Sequence, residues 1–223
     1  MFIKSYTNSL KTYLEEKHCD KFEKFFHYIV NNCVEFTRKY GKFPCPGGGP
    51  FVVNHMIKLI ECYLDRYRPK LEEEVHIPND IEEKMIGALV FSAIWGIGGC
   101  LDENSREKYD QMLQELIQGE DVNSRYNLDQ AHDALKIPCK LGEYKSLFDI
   151  FFDQEEMKWV NWMNTVPRYV INKEDTYLML SIPTIDSIRM TNLCKRLLQE
   201  GKNCLLVGPT GTGKSLSMNQ LLK

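Results

Sequence analysis

Apolar residues recur at helical spacing through the first half of the chain. Between Leu10 and Tyr40, Phe22, Phe25, Phe26, Ile29, Val30, Cys33 and Val34 mark one broad face, with Lys, Glu and Asp elsewhere. That is the pattern of an amphipathic helix laid on a core. Gly41 stops it. Pro44-Cys45-Pro46-Gly47-Gly48-Gly49-Pro50 reads as a loop, since proline and glycine at that density do not continue a helix. Val52, Val53, Met56, Ile57, Leu59, Ile60, Tyr63 and Leu64 predict a second helix that ends before Pro69. Asp80, shortly after Pro78, is placed as an N-cap with Glu83 at N3, an Asp form of the capping box. It opens a third helix through Met85, Ile86, Leu89, Val90, Ala93 and Ile94, which Gly96, Gly98 and Gly99 end. Asp102 caps a fourth, with Tyr109, Met112, Leu113, Leu116 and Ile117 inward and Gly119 at its end.

The periodicity then fades. Residues 119–146 are polar and read as a loop or insertion. Phe148, Phe151, Phe152, Trp159, Trp162 and Tyr169, cut by Pro167, read as an irregular connector packed on a core, because buried aromatics are common there. A partner-binding patch is the sharper reading of the same cluster. Tyr177 to Ile182 is a short apolar run of strand type. Thr184 caps a further helix carrying Ile185, Ile188, Leu193, Leu197 and Leu198, with Asp186 suiting its dipole and Gly201 at C′. Cys204-Leu205-Leu206-Val207 has the length and composition of a buried strand. The pattern is thus mainly α, followed by the opening of an α/β unit.

Composition narrows this little. The 223 residues are 43% hydrophobic and 26% charged, with a net charge of −3 and a pI near 6.0, so disorder is not expected. The balance does not favour nucleic acid, which calls for a basic face. No stretch approaches the ~18–20 apolar residues of a membrane span. Eight cysteines include no C-x-x-C pair, and the N-terminus has no apolar signal core, so free thiols in a reducing compartment are expected. The runs Gly47-Gly48-Gly49 and Gly96-Ile97-Gly98-Gly99 lack the rest of any phosphate-binding fingerprint. Asp102, Glu103 and Arg106 are explained by a helix start, and Glu72-Glu73-Glu74 by a solvated surface.

One motif carries chemistry. Gly208-Pro209-Thr210-Gly211-Thr212-Gly213-Lys214-Ser215 matches G-x-x-x-x-G-K-[ST] at every fixed position, after an apolar run and before a segment, Leu216 to Leu222, that can begin a helix. Glycines allow backbone angles that turn several N–H groups toward one phosphate, and the helix start adds its positive end. Lys214 is the point charge for the β- and γ-phosphates of ATP, and Ser215 the hydroxyl ligand for Mg²⁺. Hydrolysis also needs an acidic residue at the end of another strand. That element is expected beyond Lys223, so no catalytic residue is assigned here and the chain is expected to be a piece of a larger P-loop machine.

Three further segments carry a resemblance. Phe91-Ser92-Ala93-Ile94-Trp95-Gly96-Ile97-Gly98-Gly99-Cys100-Leu101-Asp102, continued by Ser105-Arg106 and Tyr109-Asp110, is similar to an F-x-x-x-W-x-x-G-G-x-L-D stretch. Trp159 to Pro167 resembles a W-x-x-W-x-x-x-V-P run, and Ile182 to Arg189 a V-P-T-x-D-T-x-R stretch. In these three the chain resembles dynein heavy chains, most closely axonemal ones. The resemblance implies a ring of six AAA+ modules in the parent. Residues 1–118 would be the helical lid of the second, 119–182 a connector or insertion, and 183–223 the start of the third with its P-loop. It implies ATP and Mg²⁺ as cofactors, with Gly208, Gly213, Lys214 and Ser215 at the family's nucleotide-binding positions and a largely regulatory role for the third module. It also implies partners: neighbouring AAA+ modules, dynein intermediate and light chains and microtubules, but no nucleic acid or membrane. Cytoplasm, cytoskeleton and the axoneme of the cilium follow as the location. Gly47-Gly48-Gly49 and residues 119–146 match nothing firm in that family. Two other readings of the residues stand beside it: a non-catalytic helical interaction module with a vestigial P-loop, and another large AAA+ protein of midasin type.

Overall fold

Ile81–Gly96 is a 16-residue helix with almost no polar side, and it organises the larger part of the molecule. In the computed structural model, which describes residues 2–44, 48–69, 76–128, 134–166 and 182–221, the chain forms two compact units. The first comprises Met1–Phe148 and Phe152–Trp159, the second Asp149–Phe151 and Val160–Lys223.

The first unit is built from α1 (Phe2–Leu10), α2 (Glu16–Tyr40), α3 (Gly49–Leu64), α4 (Ile81–Gly96), α5 (Glu103–Gln118) and the short α6 (Val122–Tyr126). α4 packs chiefly on α3 and also on α2. All but its Glu82, Glu83 and Trp95 are buried. A helix that is apolar all round needs neighbours on every side, and it has them. Tyr63 of α3 meets Phe91 edge to face at 5.2 Å, and the Tyr109 hydroxyl of α5 donates to the Ala93 carbonyl at 2.9 Å. Burying a ring such as Phe91 contributes about 2–3 kcal/mol. The stretch Ile81–Cys100 has the length and mean hydropathy, 1.2, of a membrane span, against the expectation that none exists. With 78% of it buried in the protein it is a central core helix.

Several ends follow the sequence. Asp102 accepts a hydrogen bond from the Ser105 amide at 2.9 Å and caps α5. The Ser105 side chain first, and this amide second, hold its carboxyl below the usual range. Gly119 ends α5 in the left-handed region at φ 81°. Other ends differ. The pattern from Leu10 to Tyr40 is one helix, α2, which begins only at Glu16; α1 lies ahead of it and ends at Leu10. The loop before α3 is shorter than expected, because Gly49 and Pro50 already belong to the helix, where proline's missing N–H costs nothing in the first turn. Asp80 precedes α4 but makes no capping bond. Its carboxylate pairs with Lys84 at 3.3 Å instead, which removes the expected capping box. Glu72-Glu73-Glu74 and most of the apolar run Tyr177 to Ile182 lie outside the described residues.

The aromatic segment is more regular than its sequence suggests. β1 (Ile150–Asp153) and β2 (Lys158–Asn161) form a two-stranded sheet. Four residues join them, so they run antiparallel. In the first unit the end of this hairpin is clamped onto α3 and α4. The Tyr63 hydroxyl donates to the Phe152 carbonyl at 3.1 Å, the Lys84 ammonium to the Gln154 carbonyl at 3.0 Å, and the Gln154 amide back to the Tyr63 carbonyl at 3.2 Å. The Phe152 ring lies so close to Gly87 that a Cβ there would stand 2.3 Å from it, so only glycine fits. Phe148, Phe151, Phe152, Trp159 and Trp162 are all buried. They are core, as expected, rather than an exposed patch.

Candidate functional site

The second unit holds the phosphate-loop motif. Its helix α7 (Ile185–Gln199) begins at Thr184, whose hydroxyl accepts from the Ser187 amide while the Ser187 hydroxyl accepts from the Thr184 amide at 2.9 Å. Such reciprocal caps satisfy two otherwise orphaned donors. Arg189 fixes the same end, bonding Asp149 at 2.5 Å and Asp186 at 3.0 Å. The turn Trp162–Thr165 packs on α7, with the Trp162 ring 4.6 Å from that of Phe151. At the far end Gly201 takes φ 65°, and the Lys202 amide reaches back to the Leu197 carbonyl at 2.8 Å. The chain therefore reverses along α7 toward the glycine loop.

Cys204-Leu205-Leu206-Val207 is not a strand here. A strand is defined by its ladder, and among the described residues none runs beside this segment. Its side chains alternate between half-buried and exposed, with Leu205 86% and Val207 67% accessible. The period of two that suits a strand is present; the paired neighbour is not.

The motif itself forms a turn that runs straight into α8 (Lys214–Leu221). The Ser217 amide donates to the Gly213 carbonyl at 2.9 Å and starts the helix. Gly211 and Gly213 stand at φ 83° and 77°, the region that L side chains avoid. No atom lies within 4 Å of where their Cβ would be. Alternating signs of φ aim successive amides inward, which is how such loops present donors to an anion. The Lys214 ammonium folds back over the loop. It donates to the Gly208 carbonyl at 2.9 Å, to the Pro209 carbonyl and to the Thr212 hydroxyl at 3.2 Å. Thr212 in turn donates to the Pro209 carbonyl at 3.0 Å. Gly208, Pro209, Thr210, Gly211, Thr212, Gly213 and Ser215 are exposed, and Lys214 is half-buried.

The eight motif residues therefore stand together on one loop and the first turn of a helix. Glycine backbone, one cation and one hydroxyl are the donor set a nucleotide's phosphates and their Mg²⁺ require. Among the described residues no group of three His, Cys, Asp or Glu is arranged to hold a metal. The Asp102–Arg106 region has local partners. Asp102 is a cap, and Arg106 bonds the Leu101 carbonyl at 3.1 Å while lying over the Phe148 ring. Sequence reasoning missed the role of Arg189 and the approach of Cys204 to Cys194. For Arg189 the signal was its place in the V-P-T-x-D-T-x-R stretch; for the cysteines there was none.

Comparison with known proteins agrees with this division. Residues 22–164 match the model of the dynein heavy chain AAA lid domain, and residues 169–223 that of the P-loop containing dynein motor region. The chain is similar to Dynein axonemal heavy chain 3 of Mus musculus, 29% identical over 98% of this chain and 6% of the relative. Its likeness to Dynein axonemal heavy chain 3 of Homo sapiens is 28% over 98% of this chain and 5% of the relative. For Dynein axonemal heavy chain 1 of Mus musculus the figures are 29%, 92% and 5%. The chain thus spans about 6% of the length of the first of these relatives. A midasin-type protein is set aside by these matches. With a lid-type helical unit followed by a P-loop, and family models covering both, the chain belongs to the dynein heavy chain family.

Proposed function

We propose that Gly208–Ser215 hold the phosphates of ATP, with Mg²⁺ meeting Ser215 through the nucleotide, as part of a motor that moves along microtubules. The observation that carries this is the loop's geometry. Gly211 and Gly213 have positive φ with open space around them, and the Lys214 ammonium is drawn over the loop by oxygen acceptors. In this reading Lys214 exchanges those carbonyls for phosphate oxygens, and the loop amides take the remaining charge. Mg²⁺, when bound, neutralises phosphate charge. The chain's own contribution is positioning, and hydrolysis is assigned to residues outside it. Residues 1–118 are read as the lid of the second AAA+ module, 119–182 as a connector and 183–223 as the start of the third.

The names of the relatives support the axoneme of the cilium, within the cytoplasm and cytoskeleton, as the place of action. The partners in this reading are neighbouring modules of the same heavy chain, with intermediate chains, light chains and microtubules engaged through the rest of it. The test is a titration of the chain with a fluorescent ATP analogue in Mg²⁺. Saturable binding that weakens about tenfold or more in Lys214→Ala is expected, since a charge-assisted bond contributes about 1.5–3 kcal/mol. Superimposable curves for the two proteins would sink the assignment. Steady-state phosphate release that depends on Lys214 would overturn the statement that hydrolysis lies elsewhere.

A further inference from the structure

Cys194 sits on α7, one turn before Leu197 and Leu198. The left-handed turn at Gly201 returns the chain along that same face, with the Lys202 amide bonded to Leu197. Two residues later Cys204 lies against Cys194. Its Sγ is 3.9 Å from the Cys194 carbonyl oxygen. A strand advances about 3.3 Å per residue and a helix about 1.5 Å. Two residues of extended chain cover about 6.6 Å, enough to carry Cys204 back past the rise of about 4.5 Å that separates Leu197 from Cys194. Other cysteines face different groups: Cys33 meets Tyr109, and Cys139 meets Trp159. Both members of the pair are free thiols. Cys204 is half-exposed, whereas Cys194 is buried.

We infer that Cys194 and Cys204 form a reversible dithiol–disulfide site, oxidised by a small peroxide, that ties the segment entering the phosphate loop to α7. The accessible Cys204 reacts first. Its thiolate attacks one peroxide oxygen, the O–O bond breaks and hydroxide leaves, taking up the Cys204 proton as water. Cys204 is then a sulfenic acid. The Cys194 sulfur attacks the Cys204 sulfur, the S–S bond forms, and the S–OH bond breaks. The departing hydroxide takes the Cys194 proton as a second water. Two thiols are oxidised by two electrons and one hydrogen peroxide is reduced to two waters. Exposure favours this order, since Cys204 is half-exposed and Cys194 is buried. Burial raises both thiols, so the reaction is slower than at an activated cysteine.

The experiment is peptide mapping of the intact chain after treatment with hydrogen peroxide, with free thiols blocked before trypsin digestion. Cleavage at Arg189, Lys195, Lys202 and Lys214 places Cys194 in peptide 190–195 and Cys204 in peptide 203–214, which also carries most of the loop. The expected product is these two peptides joined, lighter than their sum by two hydrogens. It is formed within a monomer on a non-reducing gel, released by dithiothreitol, and absent from Cys194→Ser and Cys204→Ser. The result needs no nucleotide, so it stands or falls separately from ATP binding. Wild-type mapping alone can overturn the inference: Cys204 stopping at sulfinic or sulfonic acid, or joining a different cysteine or a second chain, would do so.

Discussion

α4 and α7 are nearly the same length, 16 and 15 residues, and their surroundings could hardly differ more. Every apolar residue of α4 is covered except Trp95, which is only half-buried. On α7 just Ile188 and Cys194 are fully buried, while Met190 and Leu198 are exposed. The contrast extends to the units around them. The first closes on a core of large side chains, among them Tyr63, Tyr109, Phe91 and Phe36. The second displays Leu205, Val207 and Leu216 to solvent. Apolar burial is the main favourable term in folding, so stability should be concentrated in the helical unit and the phosphate-loop unit should open at much lower cost.

This comparison can be broken in the helical unit first. Phe91→Ala removes a ring that is 0% exposed and should cost about 3–5 kcal/mol, seen as a large fall in the urea midpoint of the whole chain. A loss below about 1 kcal/mol would mean that α4 is not the organising element. Alkaline pH is the next lever. Burial pushes the Cys33 thiol up to about 12 from an ordinary 9.0. The raised value means that its contribution is complete below about pH 9 and is lost as the pH climbs toward 12. At pH 10.5 the loss should reach about 2 kcal/mol. Urea melts at pH 8 and 10.5 should therefore converge partly in Cys33→Ala, whose alkaline loss is smaller. Thr184→Ala removes the α7 cap and should cost about 1 kcal/mol, confined to faster amide exchange at the start of α7 with the global melt unchanged. A shift of the global melt would show that the two units unfold together. Leu216→Ala, at a site 53% exposed, should change stability by less than about 0.5 kcal/mol in the same urea melt.

Where local chemistry decides a feature, the chain could be read directly. Asp102 with Ser105, and Thr184 with Ser187, are caps whose donors and acceptors are three residues apart in sequence. The glycine loop is equally local, since its positive φ values are a property of glycine. Partners far along the chain decided the rest. Asp80 has the right spacing for a capping box, but Lys84 competes for its carboxylate and is itself held by the Gln154 carbonyl. The hairpin hid behind a run of aromatics because its order comes from Tyr63 and Gly87, far earlier in the chain. Cys204 to Val207 has a strand's alternation but lacks a ladder, for the pattern specifies a face and not the neighbour that pairs with it. The start of α2 only at Glu16 had no breaker residue to announce it. The loop's conformation was thus legible in the candidate site, while the hydrogen bonds of its lysine were not.

Those lysine bonds have a consequence for how the loop meets an anion. Lys214 already has acceptors on Gly208, Pro209 and Thr212, so an incoming phosphate competes with the protein for the same cation. If the self-bonded arrangement occupies about nine-tenths of the molecules, apparent affinity falls about tenfold below the intrinsic value. In the reading proposed above, the loop's own carbonyls act as a built-in competitive inhibitor, which raises the apparent Kd for phosphate without changing the shape of the binding curve.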